Sequence, residues 1–99
     1  TENGPDREIK PRNILERKTV QLGLVQREID LLIEAKPEVW IDVKDTQRKF
    51  GKAEADRWIQ IMQAAKKERN DILFLVYSQA GFTKGTKQRL VEQGAFIVS

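Results

Sequence analysis

Residues 26–34 (QREIDLLIE) and 38–45 (EVWIDVKD), joined by Ala35-Lys36-Pro37, decide the fold. Both alternate at a two-residue period with β-branched residues, the mark of a strand, and the Pro-containing break between them reads as a hairpin turn. With Lys36 at the tip, Glu34 faces Glu38, Leu32 faces Trp40, Asp30 faces Asp42 and Glu28 faces Lys44. Side chains alternate along a strand, so these eight share one face. Ile29, Leu31, Ile33, Val39, Ile41 and Val43 share the other, which reads as core. On the first face two acids oppose each other inside apolar strands, where paired Cβ atoms lie about 4.5–5.5 Å apart. Like charges at that spacing destabilise a sheet, and Asp is a poor strand former. Either one carboxyl holds a proton or a cation lies between them. Mg²⁺ suits the second case, because it takes oxygen ligands, keeps several waters and needs only one or two carboxylates beside substrate phosphate. Lys44, two residues after Asp42, brings an ammonium to the same place. The competing reading is a solvated sheet face or edge whose acids deter aggregation, with Lys44 in a surface salt bridge to Glu28.

Outward from the hairpin, residues 19–24 (TVQLGL) alternate as a further strand with Gly23 as a candidate bulge, and residues 13–18 read as the last turns of a helix. Residues 1–11 hold two Pro, one Gly and one strong apolar side chain, Ile9, and are expected to form a flexible tail. After Phe50-Gly51 the period changes: Ala55, Trp58, Ile59, Met62 and Ala65 recur at helical spacing over residues 52–69, closed by Asn70-Asp71. The unbroken apolar run at 72–77 (ILFLVY) predicts a strand covered on both faces in mid-sheet. Thr83 is the expected N-cap of a short helix reaching Gln93, with Gly94 after it and a last strand at 95–98. The order (α)βββαβαβ predicts one mixed α/β domain over residues 12–99, with helices packed on the sheet.

The 99 residues suffice for one small core. With no Cys and no His, disulfides, zinc sites, thiol nucleophiles and imidazole acid-base chemistry are excluded, leaving carboxylates, Lys, hydroxyls or an oxygen-ligated metal. No apolar run approaches the roughly 20 residues of a membrane span and no export signal is visible, so a cytoplasmic setting away from membranes is expected. The start at Thr1 is what a processed or excised segment shows. Residues 1–50 are neutral overall and the net charge of +3 resides in residues 51–99, which suits a polyanionic partner. Arg48, Lys49, Lys52, Arg57, Lys84, Lys87 and Arg89 are the candidate phosphate contacts, the last three strengthened by their place in the predicted short helix. Trp40 and Trp58 read as core rather than as base-stacking platforms.

Asp30 followed across a hairpin by Asp42-Val43-Lys44, then helix, buried strand, Gly81-Phe82-Thr83 and residues 94–98 (GAFIV), resembles the PD-(D/E)xK nuclease superfamily, with the element order of its Mrr-type and Holliday-junction-resolvase-like branches. As a bare pattern Asp, gap, Asp-x-Lys is common; placement of both acids in matched register within apolar strands makes it specific. The resemblance spans about residues 19–98 and implies a restriction-endonuclease-like fold and hydrolysis of DNA phosphodiesters, as in intracellular, prokaryote-like restriction, repair or mobile-element defence. It further implies that Asp30, Asp42 and the Val43 carbonyl hold Mg²⁺ (Mn²⁺ as substitute) and that Lys44 orients or helps deprotonate the attacking water. Ile29 stands where the motif has Pro, and Pro5-Asp6 lies outside any strand pattern. Glu16, with Glu8 in reserve, is the candidate for the upstream helical Glu of the family, and Glu28 is a further candidate ligand. The Gln-x-x-x-Tyr helix motif of the RecB-like branch is absent: Gln60 is followed by Ala64. The alternative function is an inactive nuclease-fold module binding DNA or protein, and a homodimer or fusion to another domain would supply target choice.

Overall fold

The computed structural model describes residues 13–98, so the expected tail and Glu8 lie outside the described residues. The elements run β1 (Ile14–Leu22), β2 (Val25–Ile33), β3 (Glu38–Lys44), α1 (Lys52–Glu68), β4 (Ile72–Ser78), α2 (Thr86–Glu92) and β5 (Phe96–Val98). They form a mixed five-stranded sheet in the order β1-β2-β3-β4-β5, antiparallel through β3 and parallel from β3 to β5. Residues 13–18 are therefore not helical. Ile14 and Leu15 sit opposite Ile33 and Leu32, so the segment is taken up as the start of β1. Gly23 is not a bulge: at φ 65° it forms, with Leu24, the two-residue turn between β1 and β2. Thr83 precedes α2 rather than capping it, its hydroxyl 2.6 Å from that of Thr86, and Gly85 is the N-cap.

Parallel neighbours joined through helices make right-handed crossovers, which place both α1 and α2 on one side of the sheet. Trp40, Phe74 and Val76 face that side, and Trp58 meets Phe74 edge-on with ring centroids 6.2 Å apart. Trp40 and Trp58 are core, as expected. Full burial of Trp58, Ile61 and Met62 on α1 stabilises by roughly 1.5–3 kcal/mol per side chain. Lys66 Nζ on α1 reaches Gln93 O after α2 at 2.6 Å, tying the helices together.

The face expected to be core is the other one, and among the described residues no element covers it. Ile33, Val39 and Leu73 make one row with Ile14; Leu31, Ile41, Leu75 and Phe96 make a second; Val43, Tyr77 and Val98 make a third. All are half-buried or exposed. β4 lies between β3 and β5, yet only its even-numbered residues are buried.

The β1–β2 ribbon changes face along its length. Leu15 and Leu32 pack on the helix side, but beyond Arg17 it is Val20, Leu22 and Ile29 that join the core. The reversal falls at Arg17, at φ 53°, between the Glu16–Leu31 and Lys18–Ile29 pairs; a left-handed non-glycine residue costs roughly 1–2 kcal/mol. Beyond it the ribbon bends toward α1, and Gly23 N–H donates to Glu68 Oε2 at 2.6 Å.

Candidate active site

The bend decides what happens to the two acids. The β2–β3 register matches expectation, with Leu32 opposite Trp40, but the ladder ends at Leu31 opposite Ile41, one position before Asp30 and Asp42. Where β2 departs, Asp30 Oδ2 accepts the Val43 N–H at 2.8 Å, satisfying a strand donor with a side chain. Asp42, on the helix side, is 7% exposed. Burial, and then a hydrogen bond to the Asp30 carboxyl and its negative charge, push the Asp42 carboxyl up to about 7, against the pull of Arg57, whose Nη1 lies 4.0 Å from Oδ2. The two acids are together, with a proton favoured on Asp42 below neutrality.

Lys44 does not pair with Glu28. Because the ladder has ended, Glu28 lies opposite Thr19 on the exposed ribbon. Lys44 Nζ is instead bound by Glu54 on the first turn of α1. The other Glu54 oxygen, Oε1, accepts the Gly51 N–H at 2.7 Å, so one carboxylate caps the helix and holds the lysine. The hydrogen bond from Lys44, followed by that from Gly51, keeps the Glu54 carboxyl below the ordinary range. Glu54 is a site residue that the strand pattern did not reveal, and Arg57, one of the candidate phosphate contacts, stands beside Asp42. The legible signal was Gly51 followed three residues later by Glu, a helix-start spacing.

Glu16 is on β1, not on a helix, and it lines a cleft of about 540 Å³ with Arg17, Asp30, Leu31, Val43 and Asp45. Asp30 thus borders this cleft while its partner Asp42 points under α1. Among the described residues, no three acids converge closely enough to enclose a metal ion by themselves. Two neighbouring carboxyls, one of them buried, fit a hard divalent ion that retains several waters, since a cation there replaces the proton that burial favours on Asp42. Of the basic residues, Lys52, Lys84 and Arg89 line one cleft of about 280 Å³ with Thr83, Gly85 and Thr86, although Arg89 Nη1 also pairs with Asp56 Oδ1 at 2.5 Å. Arg48 and Lys49 are exposed in the β3–α1 loop, and Lys87 faces solvent outside the cleft. No described helix is long and apolar enough to cross a membrane.

No protein-family model matches the chain, and no curated protein does. Among solved structures it is similar to the protein of unknown function AF1548, at 18% identity over 85% of this chain and 47% of that one, with TM-score 0.67. It is also similar to a repair endonuclease from Pyrococcus abyssi, at 16% identity over 84% of this chain and 35% of that one, with TM-score 0.65. The chain spans less than half the length of either. At these identities the likeness concerns the fold alone: the chain has a restriction-endonuclease-like mixed α/β fold, shared with a repair nuclease.

Proposed function

We propose that this chain is a Mg²⁺-dependent endonuclease domain that hydrolyses DNA phosphodiester bonds, of restriction, repair or mobile-element defence type. The observation that carries the reading is the neighbouring Asp30 and Asp42 carboxyls, Asp42 buried and Asp30 Oδ2 held by the Val43 N–H, at the point where β2 leaves β3. Asp30 and Asp42 would hold the ion, with the Val43 carbonyl and Glu16 as the remaining candidate ligands and Mn²⁺ as substitute. A divalent ion there supplies Lewis acidity and a water of lowered pKa. Lys44 supplies positive charge where negative charge accumulates on the phosphoryl oxygens, and Glu54 fixes where its ammonium sits. Lys52, Lys84 and Arg89 contact flanking phosphates, positioning the duplex without reading its sequence. Incubation of supercoiled plasmid with the protein and Mg²⁺ or Mn²⁺ tests this. Nicking is expected from wild type and not from Asp42→Asn or Lys44→Ala; no nicking by wild type, or equal nicking by Lys44→Ala, removes the proposal.

One observation favours a second reading, a nuclease-fold module that binds without cutting: the Lys44 ammonium is already engaged by Glu54. Calorimetric titration with Mn²⁺ separates the two. Micromolar binding lost in Asp42→Asn supports the enzyme, and no binding supports the module.

A further inference from the structure

Arg17 stands in the cleft that Asp30 borders. It lines that space of about 540 Å³ with Glu16, Asp30, Leu31, Val43 and Asp45, and it is the one cationic side chain among them. β1 is an edge strand, and Arg17 and Asp30 occupy the same break in its ladder with β2, between the Glu16–Leu31 and Lys18–Ile29 pairs. The backbone of Arg17 is left-handed at φ 53°, a conformation that glycine adopts freely and a bulky side chain does not, so an arginine there costs stability. Strain of this kind concentrates at active sites and ligand clamps. Three carboxylates line the same cleft, yet among the described residues Arg17 forms an ion pair with none of them and with no other acid. Its side chain is exposed. A guanidinium that leaves adjacent carboxylates unengaged and faces an open cleft is available to an outside anion. We propose that Arg17 is a phosphate-binding residue of this site, gripping a DNA phosphate next to the scissile one with the two-pronged geometry of its guanidinium. Glu16, Asp30 and Asp45 repel a polyanion, so bringing a phosphate close to Asp30 calls for a cation on the chain itself. Lys44 is tied to α1 through Glu54 whereas Arg17 belongs to β1, so the two cations flank the acid pair from different elements. The identity of the anion rests on the nuclease reading; the strained, unengaged arginine does not.

The test is binding of a fluorescently labelled DNA duplex of mixed sequence, with Ca²⁺ in place of Mg²⁺, followed by anisotropy over a range of salt. Wild type, Arg17→Gly, Arg17→Lys and Lys67→Ala are compared, alongside their urea unfolding and plasmid nicking. Arg17→Gly should bind about tenfold more weakly, with the slope of log K against log salt lowered by about 1, while its urea midpoint rises by about 1 M. Arg17→Lys keeps both the charge and the left-handed backbone, and should keep the wild-type slope and recover part of the affinity. In nicking, Arg17→Gly should raise KM and leave kcat within about twofold, as for a contact made equally before and during reaction. Lys67→Ala, exposed at the end of α1 opposite Glu54, should match wild type in affinity and slope. Binding by Arg17→Gly within about twofold of wild type overturns the proposal. So does an equal fall in slope for Arg17→Lys, which marks a change in ribbon shape rather than a lost charge, or an equal loss in Lys67→Ala, which shows that charge anywhere suffices. If Arg17→Gly loses its fold, Arg17→Asn, also tolerant of that backbone, takes its place with the same expectation. Wild type that binds through Arg17 but does not nick removes the enzyme reading and leaves the phosphate contact standing, whereas wild type that binds no duplex overturns both.

Discussion

Replacing Asp42 by Asn removes a carboxyl that the fold must bury beside another carboxyl, and the consequence is a change in how stability depends on pH. In the folded protein Asp42 titrates at about 7, against 3.8 when free. Between those values the folded state holds one proton more than the unfolded state, so stability falls as pH rises, by about 1.4 kcal/mol per unit, and levels off above about 7. The whole span is worth about 4 kcal/mol, and the part between about pH 5 and pH 8 about 3 kcal/mol. With a urea dependence near 1 kcal/mol/M for a chain of this size, the wild-type unfolding midpoint should drop by about 3 M across that interval. Few other groups interfere, because the chain has no His and no Cys to titrate there, leaving the terminal amine as the other group in range. Glu54 and Asp71 are shifted the opposite way. The stability they add is present above their unfolded values and lost only as pH falls through their lower folded ones, outside this window. The amide introduced by Asp42→Asn is neutral at every pH and can donate to Asp30 as the protonated acid does, so the variant should show no such drop. Urea titrations of both proteins at five pH values decide the matter. A wild-type midpoint constant to within about 0.5 M, or the same slope in Asp42→Asn, would refute the reasoning about the buried pair.

Other outcomes follow from the same geometry. Because a metal ion must displace the Asp42 proton, Mn²⁺ affinity measured by calorimetry should rise about tenfold per pH unit below 7 and flatten above it. Glu54→Gln should retain the fold and reduce plasmid nicking by about tenfold through a loosened Lys44, less than the loss of about a hundredfold or more expected for Lys44→Ala. Arg17→Gly should raise unfolding stability by about 1 kcal/mol in denaturant titration, by relieving the left-handed backbone at the ribbon bend. Lys84→Ala should weaken DNA binding similarly for unrelated sequences and lower the slope of log K against log salt by about 1.

The hairpin was legible because its two halves are near mirror images in polarity about Lys36, and the observed pairing of Leu32 with Trp40 keeps that register. The amphipathic helix was legible from the spacing of Ala55, Trp58, Met62 and Ala65, all buried. The sheet face that becomes core was not. Alternation in Ile29–Ile33 and Val39–Val43 assigns residues to two sides of a strand, but which side the helices cover depends on the handedness of connections made later in the chain. Residues 13–18 misled for a related reason: Ile14 and Leu15 are adjacent, which suits neither period, and only pairing with Ile33 and Leu32 settles their conformation. At the site, the proximity of Asp30 and Asp42 followed from register. The partner of Lys44 did not, because Glu54 lies ten residues away on an element that strand arithmetic never addresses.

The hydrogen bond from Gly23 to Glu68 fastens the tip of the ribbon to the far end of α1, whose other end carries Glu54. A single helix thereby acts as a strut between two anchorages: it tensions the arm that carries Asp30 at one end and clamps the lysine at the other. Slackening the distal anchorage, as Glu68→Ala would, should change ion affinity at a place that residue never touches, making remote surface substitutions a means of tuning the cleft without altering any of its own groups.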